Sequence, residues 1–364
     1  MRVVVAGGGI IGCSIAYHLR KAGAEVVLLE RGEIGGEASG AAAGMLIAPF
    51  EDAESKDFRS LQNASLAMYP ALIEEIESQS GVDVEHRVCG ILRTARTEAH
   101  AKALRGLIKK RAGAIAGLEW VEGETLRRLE PGLSPSLLGA AYSPDDSNVN
   151  PGLVTQAFAL AAERLGVEVR RGVALTGFLG RGPRLLGART GAGEFRADAV
   201  VLAAGPWTEL LLRRVNARVP TPPMRGQMIA YRSTAVHHAV WGEDGYLVPK
   251  PRGFLFAGAT VEDAGFRKHT TERGLAGMRR AAAGLVPVLQ FAEVASTWAG
   301  LRPGSPDGLP ILGRVPGRDN VYVAAGHFRN GILLAPVTGR LMTQLICDGR
   351  LEIDLRPFRP ERFG

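Results

Sequence analysis

The segment Val3-Val4-Val5-Ala6-Gly7-Gly8-Gly9-Ile10-Ile11-Gly12, followed by Val26-Val27-Leu28-Leu29-Glu30, constrains the fold more than any other stretch of the chain. An apolar, β-branched run breaks into glycines, after which Ile15, Ala16 and Leu19 recur at helical spacing until Gly23 ends the helix. The pattern reads as strand, turn, helix and second strand, closing on a carboxylate. Gly7 permits the tight turn, Gly9 lets backbone N–H groups approach a pyrophosphate, and Gly12 lets the helix pack closely on the sheet. Glu30 stands where it accepts a hydrogen bond from a ribose hydroxyl. With 47 glycines in 364 residues a glycine pattern alone is weak evidence. The flanking strand, helix and acid together make this a dinucleotide-binding unit.

At 364 residues and 46% hydrophobic, the chain exceeds the ~250–300 residues at which a single core stops growing, so two interleaved lobes are expected. No run approaches the ~20 apolar residues of a membrane helix. The N-terminus opens directly on the first buried strand, which predicts a soluble, cytoplasmic protein without a signal peptide or membrane partner. Cys13, Cys89 and Cys347 lie far apart without CxxC spacing and read as packed thiols, neither a disulfide framework nor a metal site. The net charge of +7 raises the question of a nucleic-acid partner. The basic residues are nevertheless scattered, and no stretch interleaves them with stacking aromatics. Lys109-Lys110-Arg111, the densest cluster, closes a predicted helix beginning near Glu98, where cations suit the helix dipole. The composition therefore predicts a basic surface that favours anionic cofactors and carboxylate substrates, with no nucleic acid bound.

Further along, the small-residue segment Gly35 to Leu46 permits close backbone approach. Leu61, Leu66, Tyr69, Leu72, Ile73 and Ile76 predict a long amphipathic helix ending near Gly81. Asn150-Pro151 marks a helix start, with Asn as cap and Pro in the first turn. Val167–Val169 and Ala199–Gly205 read as further buried strands, so the N-terminal lobe resumes after an insertion. Strand-like runs at Gln227–Tyr231, Tyr246–Pro249, Phe254–Ala259 and Glu293–Trp298, with a helix from about Glu272 to Ala283, predict a mixed or antiparallel sheet with helical cover. Val321–Ala325 returns to parallel-strand character, and a last helix is expected from about Pro336 to Ile346.

The N-terminal fingerprint alone does not choose between NAD and FAD. A chain that leaves its nucleotide lobe, returns with Ala203-Ala204-Gly205-Pro206-Trp207, leaves again, and ends on a glycine-bearing strand-to-helix turn resembles the flavoprotein family of D-amino acid, sarcosine and glycine oxidases. Within it, Ala42–Leu46, Trp298-Ala299-Gly300-Leu301-Arg302-Pro303-Gly304 and Gly326–Leu334 are most similar to the glycine oxidase branch. The resemblance runs over essentially the whole chain. It implies an α/β fold, in which an FAD-binding Rossmann-like domain of the glutathione-reductase type is interleaved with an α+β substrate domain on a mixed or antiparallel sheet. The expected FAD-binding domain comprises residues 1–85, 145–222 and 300–364, and the substrate domain residues 86–144 and 223–299.

Carried over by position, the resemblance places Ile10 and Ile11 at the cofactor pyrophosphate, with Gly7, Gly9 and Gly12 completing the cofactor-binding fingerprint, and Glu30 and Arg31 at the adenosine ribose. Ala38, Ser39, Ala43, Gly44 and Met45 line the middle of FAD and its isoalloxazine ring. Val173 offers its backbone to the adenine, and the turn at Gly205 passes beside the cofactor. His327, Phe328, Arg329, Asn330, Gly331, Ile332 and Leu333 wrap the flavin pyrimidine, where a helix N-terminus suits the anionic reduced ring. Sarcosine oxidases attach flavin to a cysteine after the Arg-Pro turn. Here Gly304–Val321 has no cysteine, so the FAD is expected to be non-covalent.

Substrate recognition needs a fixed cation for an α-carboxylate, and a guanidinium engages one bidentately. The resemblance assigns this role to Arg302, which Pro303 and Gly304 are expected to place at a turn. Tyr246 supports the same carboxylate, and Arg329 borders the substrate amino group. The family passes a hydride from the α-carbon to flavin N5 with no residue acting as general base, so catalysis rests on orientation. The implied products are imine, then oxo acid and ammonia, with H2O2 from O2. The implied substrates are glycine, small D-amino acids, and N-methyl or cyclic amines, and the implied outlet is thiamine thiazole synthesis. Val261, smaller than the methionine associated with its position, suggests a roomier pocket. The resemblance also implies a homo-oligomer, such as a tetramer. The competing classes are a D-amino acid dehydrogenase delivering electrons to a quinone and, from the basic pI alone, an RNA-modifying flavoprotein.

Overall fold

The structure, a computed structural model, describes residues 1–50 and 55–364. The glycine-rich start forms as expected: Arg2–Ala6, helix Ile10–Lys21 and strand Glu25–Glu30. The two strands pair in parallel, Val4 opposite Val27. Among the described residues this sheet has six strands, in the order Ile311–Arg314, Val321–Ala325, Ala199–Leu202, Arg2–Ala6, Glu25–Glu30 and Glu168–Arg171. All neighbours are parallel except Ile311–Arg314, which runs against Val321–Ala325.

Side chains alternate across the sheet, which is why its strands are apolar on both faces. Val3, Val5, Val26, Leu28 and Val201 face Ile15, Leu19, Tyr69, Phe158 and Leu341, contributed by helices Ile10–Lys21, Lys56–Ser80, Pro151–Arg164 and Gly331–Thr343. Val4, Val27, Leu29, Val200 and Leu202 face a small antiparallel sheet through Leu175 and Ala188. Helix Lys56–Ser80 starts on Ser55, whose hydroxyl accepts from the N–H of Phe58, and stops at left-handed Gly81. Asn150 caps the next long helix by accepting from Gly152 and Leu153, with Pro151 in the first turn.

The last helix departs from expectation: it runs Gly331–Thr343 and contains Pro336 instead of starting there. A proline leaves the carbonyl four residues earlier without its helical donor. Helix Lys56–Ser80 repairs this defect, because the hydroxyl of Tyr69 donates to the Ile332 carbonyl and Ser65 Oγ donates to the Leu333 carbonyl at 2.6 Å. Ser65 Oγ also accepts from the N–H of Val337. Residues 65 and 69 stand one helical turn apart, so a single face of one helix mends the other.

The second large sheet is mixed. Strand Pro223–Arg232 is antiparallel to Val294–Pro303 and to Phe254–Gly258, and the sheet continues through Tyr246–Lys250 and Ala239–Trp241. Ala239–Trp241 pairs in parallel with Ile91–Ala95, which joins the segment after residue 86 to the same sheet. Helix Glu272–Leu285 covers one face through Met278, Ala282 and Leu285. The strand bearing Arg302 continues to Pro303, so Arg302 sits within a strand and not at a turn. Pro303 is tolerated at the strand end, where the ladder closes with Gly304 N–H donating to Pro222 O at 2.8 Å.

Candidate active site

A cavity of about 910 Å³ is lined from both large sheets, at the upper end of the ~300–1,000 Å³ usual for ligand pockets. Its long arm begins at the glycine turn. A Cβ at Gly7 would meet the Ala203 carbonyl oxygen at 2.3 Å, and one at Gly12 would meet the Gly7 oxygen at 1.9 Å, so strand, turn and helix close only with glycine in both places. Gly7, Gly9, Ile10 and Ile11 line the cavity, whereas Gly12 does not and serves the packing beneath it. The Ile10 N–H donates to Ser39 Oγ at 2.9 Å, pinning the small-residue segment against the helix start.

Glu30 lines the cavity with its carboxylate already ordered, accepting from Gly8 N–H at 2.6 Å and Gly32 N–H at 2.8 Å. Arg31 also lines it, stacked 3.7 Å over the Trp207 ring and paired with Glu37 Oε1 at 2.7 Å. Ala38, Ser39, Ala43, Gly44, Met45 and Gly205 are all on the wall. Gly44, at φ +79°, allows a close approach to the Val149 carbonyl, which a Cβ would meet at 2.1 Å. Val173 lies off the wall. Its N–H donates to the Glu30 carbonyl at 2.8 Å, and its neighbours Ala174 and Leu175 face the cavity instead.

At the other end, His327, Phe328, Arg329, Asn330, Gly331, Ile332 and Leu333 lead into the N-terminus of the last helix and all line the cavity. Phe328 adopts a left-handed φ of 47°, and its N–H donates to the Pro303 carbonyl at 2.9 Å, tying this loop to the strand of Arg302. His327 is buried, with Nε2 3.1 Å from Thr338 Oγ1, and burial pushes its pKa down to about 3. It is therefore neutral near pH 7, and its Nδ1 has no partner among the described residues.

Arg302, Tyr246 and Arg329 share this end of the cavity. Arg302 Nη1 donates to the Thr260 carbonyl at 3.0 Å. Burial raises the Tyr246 pKa, opposed by the positive charges of Arg302 and Arg329, and burial lowers that of Arg302. No carboxylate side chain pairs with Arg302 among the described residues, which leaves a cation facing the cavity without a counter-charge. Val261 is 42% exposed and lies off the cavity wall, so its small size does not enlarge the pocket. Sequence reasoning missed Gly226, Met228, Trp207 and Trp241, which also line the cavity. A glycine within a strand was the available signal for Gly226.

The residues present fit FAD. The N-terminus of a 12-residue helix meets the cavity beside the glycine turn, as a pyrophosphate requires, and a carboxylate stands at the end of the second strand. At the far end, the second helix N-terminus and the unpartnered His327 Nδ1 suit a polar ring. Such a fold and cavity define a flavin-dependent oxidoreductase.

Comparison with known proteins agrees. The family described as DAO, FAD dependent oxidoreductase, matches residues 2–345. The chain belongs to this family, and FAD is its cofactor. It is 33% identical over 362 residues to the glycine oxidase of Bacillus licheniformis, covering 99% of this chain and 96% of that one. It is 34% identical to the bifunctional protein ThiO/ThiG of Trichormus variabilis, covering 99% of this chain and 55% of that longer protein. The crystal structure of glycine oxidase from Geobacillus kaustophilus superposes with a TM-score of 0.93 at 34% identity, covering 98% of each chain.

Proposed function

We propose that this enzyme oxidises the C–N unit of glycine and of other small, carboxylate-bearing amines: small D-amino acids, sarcosine and cyclic amino acids such as D-proline. The observation that carries the reading is Arg302, a guanidinium on the cavity wall without a carboxylate partner among the described residues, with Tyr246 beside it. Non-covalently bound FAD would supply the two-electron acceptor, with O2 as the final oxidant and H2O2 as the product.

The remaining chemistry belongs to the chain. Arg302 and Tyr246 bind the substrate carboxylate, and Arg329 borders the amino group. Holding the α-carbon in one orientation supplies much of the rate enhancement, since proximity alone is worth on the order of 7–11 kcal/mol in the best intramolecular cases. No general base is required, because the free amine carries the lone pair that drives C–H cleavage. His327, neutral and bonded to Thr338, orders the loop instead of moving protons. The imine then hydrolyses to an oxo acid and ammonia.

Similarity to glycine oxidases and to a ThiO/ThiG protein supports glycine as substrate and thiamine thiazole synthesis as an outlet. We further divide the chain into residues 1–85, 145–222 and 304–364 against 86–144 and 223–303, the last boundary falling after Pro303 instead of at the expected 300 because strand Val294–Pro303 pairs along its length with Pro223–Arg232, and infer a cytoplasmic homo-oligomer. Among the described residues no helix is long and apolar enough to cross a membrane.

The test is an anaerobic titration of purified enzyme with glycine, sarcosine, D-alanine and D-proline, followed by admission of O2. Flavin bleaching by at least one of them and stoichiometric peroxide are expected. Bleaching by none overturns the reading, and reoxidation by a quinone analogue but not by O2 replaces oxidase with dehydrogenase.

A further inference from the structure

We infer that Gly226 is a positioning residue for the carboxylate clamp, its missing side chain being what lets the Arg302 guanidinium fold inward across the strand. The inference rests on the reading of Arg302 as the carboxylate anchor. Strands Pro223–Arg232 and Val294–Pro303 pair Met224 with Arg302, Gly226 with Gly300, and Met228 with Trp298. Residues directly opposite in an antiparallel pair, and those two apart along a strand, share one face. Arg302, Gly226, Gly300, Met228 and Trp298 therefore all point to one side, the side carrying Ala43, Tyr246 and the cavity.

On that side the two opposed glycines leave a window. A Cβ at Gly226 would lie 2.3 Å from Nη1, 2.4 Å from Cζ and 2.4 Å from Nη2 of Arg302. Three nearly equal distances mean that the guanidinium lies flat over Gly226. A Cβ at Gly300 would instead meet Ala41 Cβ at 2.6 Å, so the other half of the window admits the small-residue segment.

Nothing in the backbone demands glycine at 226. Its φ is not positive, and glycine in a strand interior weakens the strand. What the position supplies is room. The guanidinium is gripped by the Thr260 carbonyl, hydrogen-bonded to the Tyr246 side chain and supported underneath by Gly226, so a carboxylate would meet the fork together with the Tyr246 hydroxyl. Thr260 is itself fixed to the same strand, its Oγ1 accepting from Gln227 N–H at 3.0 Å. Strand and loop thus aim the fork from below and from the side.

The experiment measures acetate binding to holoenzyme by perturbation of the flavin spectrum, in wild type, Gly226→Ala, Arg302→Ala and the double variant. The added methyl displaces the fork, so Gly226→Ala weakens acetate binding by roughly tenfold to a hundredfold, the worth of a misplaced charge-assisted hydrogen bond. Substrate KM rises in step, while retained FAD and the thermal midpoint stay near wild type. With Arg302 removed the three atoms nearest that methyl are gone, so the double variant binds acetate as Arg302→Ala does. If Gly226→Ala fails to fold, Arg302→Ala restores folding in the double variant. Unchanged acetate binding in Gly226→Ala, or misfolding that persists in the double variant, overturns the proposal. If Arg302→Ala alone leaves acetate binding intact, the anchor reading has failed and this inference falls with it.

Discussion

The carboxylate of Glu30 accepts the backbone N–H of Gly8 at 2.6 Å through one oxygen, while its other oxygen holds Gly32. An ionised carboxylate is an acceptor only, with about four lone-pair sites, so two remain for a ribose after the turn is pinned. One side chain both shapes the glycine loop and faces the cofactor. Glu30→Gln replaces one acceptor oxygen with an NH2 group aimed at an N–H donor. It is expected to weaken FAD binding about tenfold to a hundredfold, read as FAD retained after gel filtration or as flavin fluorescence on titrating apoprotein. Full retention of FAD would show that Glu30 serves the loop alone.

Arg302→Lys keeps a positive charge but loses the planar fork. KM for glycine is expected to rise by at least roughly tenfold with kcat reduced less, because the loss falls mainly on ground-state binding. FAD content should not change, since Arg302 sits at the substrate end. A fall in kcat with unchanged KM would argue for an orienting role without a binding role.

Tyr69→Phe removes the donor that satisfies the Ile332 carbonyl, which Pro336 cannot serve. A buried carbonyl left without a partner costs about 1–3 kcal/mol. Urea denaturation should show a lower midpoint with little change in slope. The variant should also release FAD faster, because the first turn of this helix lines the cavity. An unchanged midpoint would mean that water replaces the hydroxyl.

His327 makes stability depend on pH in a predictable direction. Its pKa falls from 6.5 to about 3 on folding because burial penalises the imidazolium. Between these values the unfolded chain binds a proton that the folded one does not, so stability is fully present above about pH 6.5 and is lost as pH falls toward 3. The slope attributable to one proton reaches about 1.4 kcal/mol per pH unit. Because buried His18 is shifted the same way, to about 4, the comparison must be differential. His327→Gln should flatten the acid limb of the stability curve by one proton's worth, and a limb as steep as wild type would remove His327 from it.

Much of the architecture was legible because its signals are local. The strand, glycine turn and helix of the first thirty residues, the Asn150 cap and the Gly81 stop each depend on a few neighbouring residues. Pro303 and Gly304 are turn formers and point to a turn at Arg302, yet pairing of Pro303 with Pro223 carries the strand past Arg302. Pro336 reads as a helix start for the same reason, and is instead rescued by Ser65 and Tyr69 from another helix. Both misreadings have one cause: a distant partner satisfied a backbone that its own sequence left deficient. The resemblance places the Val173 backbone at the adenine; its N–H is taken by the Glu30 carbonyl, and the adjacent Ala174 reaches the cavity wall.

The sequence by itself determined the dinucleotide fingerprint, the alternation that makes a sheet buried on both faces, and the residue types at both ends of the cavity, because periodicity and glycine placement act over a few residues. Only the tertiary structure decided how those groups face one another. The register that sets Gly226 opposite Gly300 and beneath Arg302, and the bond that ties Phe328 to Pro303, join segments far apart in the chain. Such contacts depend on strand pairing and on two lobes closing around one cavity, and no local pattern encodes them.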